Sequence, residues 1–305
     1  MTKYIVKRVL LGILTFFIVI TFTFFLMNLI PGGPFTAEKS VGAETQQMMA
    51  EKYGLDKPLT TQYVLFLKNL VKGDLGMSIK NKGVTVSTLI AEKLPNSAKL
   101  GGIAIVVSVL IGVPLGSISA VNRNKWLDKV ISVFSTLGIA VPSFVVCSLL
   151  SYFVGLKLGW LPIYGLDSFA HYILPVISLA FYPTAYIARI TRSSMLDVLG
   201  QDYIRTAKAK GVSNIKIIFK HTLRNAVLPV ITYLGPLLAY TMTGSFVVEK
   251  IFNINGLGRV IIDAIVSRDY SVIMGTTIVL AAIMLILNTL VDIAYKFIDP
   301  RIKLD

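Results

Sequence analysis

Six long stretches of this chain carry no charged side chain: Val9–Ile30, Leu100–Val121, Val130–Leu156, Tyr172–Ala188, Ala226–Val248 and Ser271–Val291. The first is 22 residues long, or roughly 33 Å as a helix, enough to cross a hydrocarbon core of about 30 Å. The same reading applies to the others and predicts six membrane-spanning helices. A cleavable leader also starts with basic residues before an apolar stretch. Its apolar part is only about 7–15 residues and ends at a small-residue cleavage site, so Lys3, Lys7 and Arg8 are read as the flank of an uncleaved first span. Pro114, Pro142, Pro175, Pro183, Pro229 and Pro236 fall within these runs, where neighbouring helices can satisfy the freed carbonyls. Gly112, Gly116, Gly235 and Gly244 offer close helix contact.

Two polar intervals stand out. Pro31-Gly-Gly-Pro34 ends the first span, and residues 35–97 follow as a soluble segment with short helices expected over Glu44–Tyr53, Thr60–Val71 (capped by Thr60) and Thr85–Lys93. Gly73-Asp74-Leu75-Gly76 forms a turn between them. The segment is too small and too polar for an independent enzyme and reads as a packed cap. The second interval, Arg189–Pro229, is a basic island flanked by apolar runs. Lys and Arg counts set the orientation. With both termini in the cytoplasm, the inside segments carry 17 and the short outside loops 157–171 and 249–271 carry four. The island is then cytoplasmic and residues 35–97 lie outside. The segments are 1–30 (N-terminal segment and transmembrane helix 1), 31–99 (extracytoplasmic) and 100–305 (the membrane core with transmembrane helices 2–6, including the loop 189–225).

Composition narrows the function. The chain is 54% hydrophobic and 15% charged, with a mean hydropathy of +0.73, against about 25% charged residues in soluble domains. The formal charge of +14 sits between spans and not on a soluble face, so it reflects topology and not nucleic-acid binding. The lone Cys147 lies in an apolar run and reads as a small buried residue. No phosphate-binding G-x-x-x-x-G-K-[ST], H-E-x-x-H or G-x-S-x-G motif occurs, and His171 and His221 fall on opposite sides of the membrane. No ionisable residue lies mid-span, where ion-coupled carriers place theirs. Asp292, near a span end, reads as an ion-pair partner of Lys296. A channel, a carrier or a membrane scaffold would share the six-span outline. Uphill transport by this chain needs energy from another subunit.

The basic island reads as two helices joined at a glycine. Met195, Leu196, Val198, Leu199, Tyr203, Ile204 and Ala207 form one apolar face, and Asp197, Asp202, Arg205 and Lys208 the polar side. Gly211 ends this helix with Lys208 and Lys210 in its last turn, where the dipole favours cations. Ser213 caps the next helix, with Ile215, Ile218, Phe219 and Leu223 on one side. Such a projection suits insertion into a partner's groove. It also suits lying on anionic lipid.

The run DYIRTAKAKGVSNIKIIFKHTLRNAVLP resembles the cytoplasmic coupling loop of ABC importer permeases in their oligopeptide/dipeptide permease B-subunit form. YIVKRVLLGI, LIPGGPF, YGLDKPLTTQY, GDLGMSI, VPSFV, LGWLPIYG, ILPVISLA, VVEKIFNINGLGRVIIDAIVSRDY and DPRIKL resemble the same family in the same order across nearly the whole chain. One departure stands out. Arg205-Thr206-Ala207 occupies the place where the general importer loop begins Glu-Ala-Ala, Gly211 keeps its position, and Leu228-Pro229 comes later. No salt bridge from that glutamate is expected here.

The resemblance implies an all-α integral membrane protein of six transmembrane helices, a type I ABC importer-like permease with cytoplasmic coupling helices in a bacterial or archaeal plasma membrane. It implies a homologous second permease, two ABC ATPases that bind ATP and magnesium, and an extracytoplasmic substrate-binding protein. No cofactor and no catalysis are expected in this chain. It assigns coupling to Asp202, Tyr203, Arg205, Ala207, Lys208, Gly211 and Val212, and a folded-back loop near the outer mouth to Asn253, Asn255, Gly256, Gly258 and Arg259. An ordinary turn with a short amphipathic helix would fit that outer loop equally. Peptide import is the expected activity, with nickel chelates, haem or another small solute as alternatives within the same complex type.

Overall fold

The structure is a computed structural model. It describes residues 2–29, 56–81 and 83–298, the side chains of 2–5 and 292–298 excepted. The stop at Pro31–Pro34, the helix expected over Glu44–Tyr53, the side chains of Asp292 and Lys296 and the tail from 299 lie outside the described residues.

The chain folds into helices α1 (Thr2–Leu29), α2 (Leu59–Val71), α3 (Val86–Val121), α4 (Trp126–Ala140) and α5 (Ser143–Leu150, continued in wide i→i+5 turns over Ser151–Lys157). Then come α6 (Phe169–Leu199), α7 (Asp202–Ala209) and α8 (Asn214–Lys216, widening over Ile217–Leu223 and closing over Arg224–Ala226). The last four are α9 (Leu228–Met242), α10 (Phe246–Ile251), α11 (Leu257–Ser267) and α12 (Tyr270–Ile298). Among the described residues the only strand-like pairing is a single bridge between Met77 and Thr85. Among the described residues five helical segments are long and apolar enough to cross a membrane, and six if the α4–α5 pair is one span.

That pair departs from the expected straight third span. α4 and α5 meet at 102°. Pro142 supplies no N–H to the Gly138 carbonyl, and a residue before proline is pushed out of the helical region. Val141 accordingly sits at φ −81°, ψ 122°. Pro95, Pro114, Pro175, Pro183 and Pro236 stay inside continuous helices, and Pro229 falls in the first turn of α9.

The centre of the bundle is α3 against α6. Ala104, Ser108, Gly112 and Gly116, each one turn apart, are buried along α3. A side chain on Gly112 would come within 2.9 Å of the Thr184 carbonyl, and one on Gly116 would strike the Ala188 carbonyl. The backbones therefore touch directly, which is the use of small residues in membrane helix pairs. Gly235 instead makes room for the Val291 side chain of α12. Gly244 lies between α9 and α10 at φ +105°, in close approach to Glu249, the Gly258 N–H and Ser97 of α3.

The helix expected over Thr85–Lys93 is the first part of α3, which runs on through residues 99 and 100. Thr85 caps it by accepting the Thr88 N–H at 3.2 Å. α2 starts one residue early with Pro58, not Thr60, at its N-cap, and its Tyr63 and Phe66 pack on Phe24 of α1. The 73–76 turn forms as expected, with Gly73 and Gly76 at positive φ and the Gly76 N–H on Asp74 Oδ1 at 2.8 Å. Asp269, between α11 and α12, then fastens this region. It accepts from the Ser78 hydroxyl and from the N–H groups of Ile79 and Lys80.

Candidate functional site

The basic island is built differently from its sequence pattern. The apolar series from Met195 to Ala207 is divided between two helices, because α6 ends at Leu199 and α7 begins at Asp202. Met195 and Leu196 stay with the bundle, packed with Ala120 of α3 and with Ala226, Ile218 and Leu223. In α7 Ile204 is the one buried residue. Asp202, Tyr203, Arg205 and Lys208 are exposed and Ala207 is half-buried. Tyr203 nonetheless has an anchor, since its Oη accepts from Asn225 Nδ2 of α8 at 3.1 Å. Arg205 reaches Asp202 at 3.5 Å with both side chains in the open, an arrangement that adds little stability.

The end of α7 is where the pattern and the structure agree best. Lys210 is the C-cap and Gly211 follows at φ +76°. The Val212 N–H donates to the Ala207 carbonyl at 3.2 Å and the Gly211 N–H to the Lys208 carbonyl at 3.0 Å. These two bonds define a Schellman closure, which requires the left-handed conformation glycine adopts freely. The chain then turns into α8. Ser213 stands at its N-cap without a side-chain bond, so it sets the position and not the expected hydrogen bond. The wide turns over Ile217–Leu223 advance the helix register. Ile217 is buried while Ile215 and Phe219 are 71% and 65% exposed, so the single apolar face expected for α8 is split. Tyr203, Ile215 and Phe219 are apolar groups left in the open beside Lys208, Lys216 and Lys220.

At the opposite end of the bundle, the loop from Asn253 to Arg259 folds around one carboxylate. Glu249 is fully buried in α10. Its Oε1 accepts from Ser97 Oγ of α3 at 2.8 Å and its Oε2 from the Arg259 N–H at 3.1 Å. Ser97 Oγ in turn accepts the Leu257 N–H at 2.8 Å. The start of α11 is thus wrapped on the Glu249 carboxyl group, whose oxygens accept its N–H groups directly and through Ser97. Gly256 and Gly258 are buried beside that carboxylate, and a side chain on Gly256 would run into it. Asn253 and Asn255 expose their side chains. Their backbones hold the loop: the Asn255 carbonyl accepts from Asn96 Nδ2 at 2.8 Å and the Asn253 carbonyl from Arg259 Nη1 at 3.4 Å. Glu249 and Ser97 were not singled out by sequence reasoning, since their partners lie 152 positions apart.

A second polar tie also escaped the sequence pattern. Asp128, near the start of α4, is buried and receives Arg192 of α6 in a two-pronged pair, Nε at 2.6 Å and Nη2 at 2.9 Å. Ser119 Oγ at 2.6 Å and the Asn124 N–H at 2.9 Å complete it. Between the two ends, the break at Val141–Pro142 opens on a cavity of about 580 Å³ that reaches Tyr182 and Pro183 of α6 and Tyr233, Pro236 and Tyr240 of α9.

Residues 112–304 match the family described as binding-protein-dependent transport system inner membrane component, and residues 1–100 match the N-terminal family of the same systems. The chain belongs to this family of transport permeases. The permease is 46% identical over 305 residues to the oligopeptide transport system permease protein OppB of Haemophilus influenzae, covering 99% of this chain and 100% of that one. It is 46% identical over 304 residues to the dipeptide transport system permease protein DppB of Bacillus subtilis, covering 100% and 99%. It is also 43% identical to OppB of Salmonella typhimurium over 305 residues, covering 99% and 100%. The inward-facing MetNI methionine ABC transporter shares its fold with a TM-score of 0.57 at 18% identity, over 70% of this chain and 95% of that one. The permease is therefore a multi-pass protein of the plasma (inner) membrane with an all-helical type I ABC permease fold. Among the described residues no group of His, Cys, Asp and Glu side chains is arranged to hold a metal ion.

Proposed function

We propose that this chain is one of two homologous permease subunits of an ATP-driven importer, forming half of the path for peptides handed over by an extracytoplasmic binding protein. Two ABC ATPases bind ATP and magnesium and supply the energy. This chain binds no cofactor and hydrolyses nothing. Both termini, α7 and α8 face the cytoplasm, in keeping with the Lys and Arg count. The names of the relatives, oligopeptide and dipeptide permeases, support the substrate class.

The observation that carries the reading is the position of α7. The uncharged run of α6 ends at Ala188, and the helix continues to Leu199. Those 11 further residues extend it by about 16 Å. The following helix is thereby carried away from the apolar zone, with Tyr203, Ile215 and Phe219 exposed on it and on α8. That geometry supports docking in an ATPase groove over lying on lipid. Asp202, Tyr203, Arg205, Ala207, Lys208, Gly211 and Val212 form the coupling element. Asn253, Asn255, Gly256, Gly258 and Arg259 form a folded-back loop at the outer mouth.

The test is purification of the tagged chain from its native membrane. Two ATPase subunits and a second permease are expected to accompany it, and the reconstituted complex should hydrolyse ATP faster when loaded binding protein is added. Peptide accumulation by this chain alone, driven by an ion gradient, would overturn the proposal.

A further inference from the structure

The cavity at the middle of the bundle has three properties that together call for an occupant. It borders two interruptions of helical backbone. At the first, Pro142 has no N–H, the Val141 N–H turns back to Leu137, and the Val145 and Val146 N–H groups both go to the Pro142 carbonyl. The Gly138 carbonyl is left without its helical donor. At the second, the chain from Thr243 to Ser245 separates α9 from α10, and Thr241 and Ser245 border the cavity. Irregular backbone at membrane depth persists only where protein covers it or where it lines a water-filled space. Lipid is therefore excluded as the neighbour of this face.

The wall is also uncharged, for no Asp, Glu, Lys or Arg borders the cavity. It is instead rich in tyrosine. Tyr182 and Tyr240 are 42% and 68% exposed, and Tyr186 stacks on Tyr182 at 6.0 Å and meets Tyr233 at a tilt, 4.5 Å between ring centres. Among the described residues, the hydroxyls of Tyr182, Tyr233 and Tyr240 have no hydrogen-bond partner. A tyrosine hydroxyl both donates and accepts. It can therefore serve a peptide N–H or C=O whatever side chain is attached. The volume of about 580 Å³ lies within the usual range for ligand sites of roughly 300–1,000 Å³.

We propose that this cavity is where the permease holds the passing peptide, and that it grips the main chain. The hydroxyls of Tyr182, Tyr233 and Tyr240 and the carbonyls freed around Pro142 bond to peptide amides. The aromatic faces accept the side chains without regard to charge. This rests on the peptide-importer reading above and adds the place and the mode of recognition. A wall without fixed charge lets acidic, basic and neutral peptides pass alike, leaving selection to the binding protein.

The test uses the assembled importer in proteoliposomes with saturating binding protein and three tripeptides, of alanine, lysine and glutamate. Wild-type ATP-driven uptake is measured first, and its absence would fail the peptide-importer reading and not this site. Tyr240→Asp and Tyr240→Lys are then compared as ratios to wild type, which cancels the preferences of the binding protein. Opposite shifts of about tenfold in the lysine-to-glutamate uptake ratio are expected, as a fixed charge within several ångströms of a passing charge should produce. Unchanged ratios in active variants overturn the proposal. In case both variants lose uptake, Tyr240→Cys is made in a Cys147→Ala background and treated with a membrane-impermeant methanethiosulfonate. Rapid modification, slowed severalfold by trialanine during turnover, is expected. A thiol that stays unreactive, or one that reacts equally with and without peptide during turnover, overturns it.

Discussion

Replacing Gly211 separates backbone geometry from surface contact at the proposed coupling element. The residue sits at φ +76° with nothing within 4 Å of where a side chain would begin. Size alone therefore costs nothing here, and the penalty is conformational. An L-residue in the left-handed region loses about 1–2 kcal/mol, which lowers the population of the closed turn by roughly 5–30-fold. A β-branched residue stands at the upper end or beyond, whereas asparagine visits this region readily. The expected order of function is Gly211, then Asn, then Ala, then Val. With the turn opened, the Val212 to Ala207 and Gly211 to Lys208 bonds are lost and α7 is no longer held at its present angle to α8. The assay is peptide-stimulated ATP hydrolysis and uptake in proteoliposomes, normalised to the ATPase recovered with the tagged permease. Wild-type coupling in Gly211→Val would refute the reasoning. Asn as harmful as Val would also refute it, since that outcome points to a side-chain clash with a partner and not to φ.

Asp128→Ala leaves Arg192 without its buried partner and is expected to cost about 3–5 kcal/mol, read as a lower unfolding temperature in detergent, with Asp128→Leu paired with Arg192→Met recovering most of it. Gly256→Ala drives a methyl into the Glu249 carboxylate and should reduce the thermal stability of the permease by about 1–3 kcal/mol. The same substitution with Glu249→Ala already present should cost less, as a double-mutant cycle would reveal. Gly116→Val forces α3 off the Ala188 carbonyl and should lower folded yield sharply, whereas Gly102→Ala, with open space around it, should not; fluorescence-detected gel filtration distinguishes them.

The long helices were legible because each spans a run without charge, and no alternative buries so much apolar surface with its backbone satisfied. Gly211 was legible for a local reason: a glycine after two lysines closes a helix in its own hydrogen bonds. The split between α6 and α7 was within reach, since Gly200 followed by Asp202 is itself an end-and-start signal. The apolar spacing from Met195 to Ala207 masked it. The bend at Pro142 was not distinguishable by residue type, because Pro114 and Pro183 sit in equally apolar runs and leave their helices continuous. Asp128 with Arg192 and Glu249 with Ser97 depend on partners 64 and 152 positions away, and no periodicity reports such pairs. In the loop from Asn253 to Arg259 the family resemblance pointed to the asparagines, yet the buried Glu249 organises the turn.

The contact of α3 with α6 has a mechanical consequence. Gly112 and Gly116 let α3 lie directly on the Thr184 and Ala188 carbonyls, with only the β-branched Ile187 and Thr191 side chains beside them, and such side chains are stiff at χ1, so the contact has little room to yield. α6 alone, at 31 residues, is about 46 Å long. Two of the breaks in the helical hydrogen bonding lie beside this pair, at Val141–Pro142 and at Thr243–Ser245. Both border the tyrosine-lined cavity. If α7 is the coupling element proposed above, a displacement applied there would reach the cavity along α6 as a change in its shape.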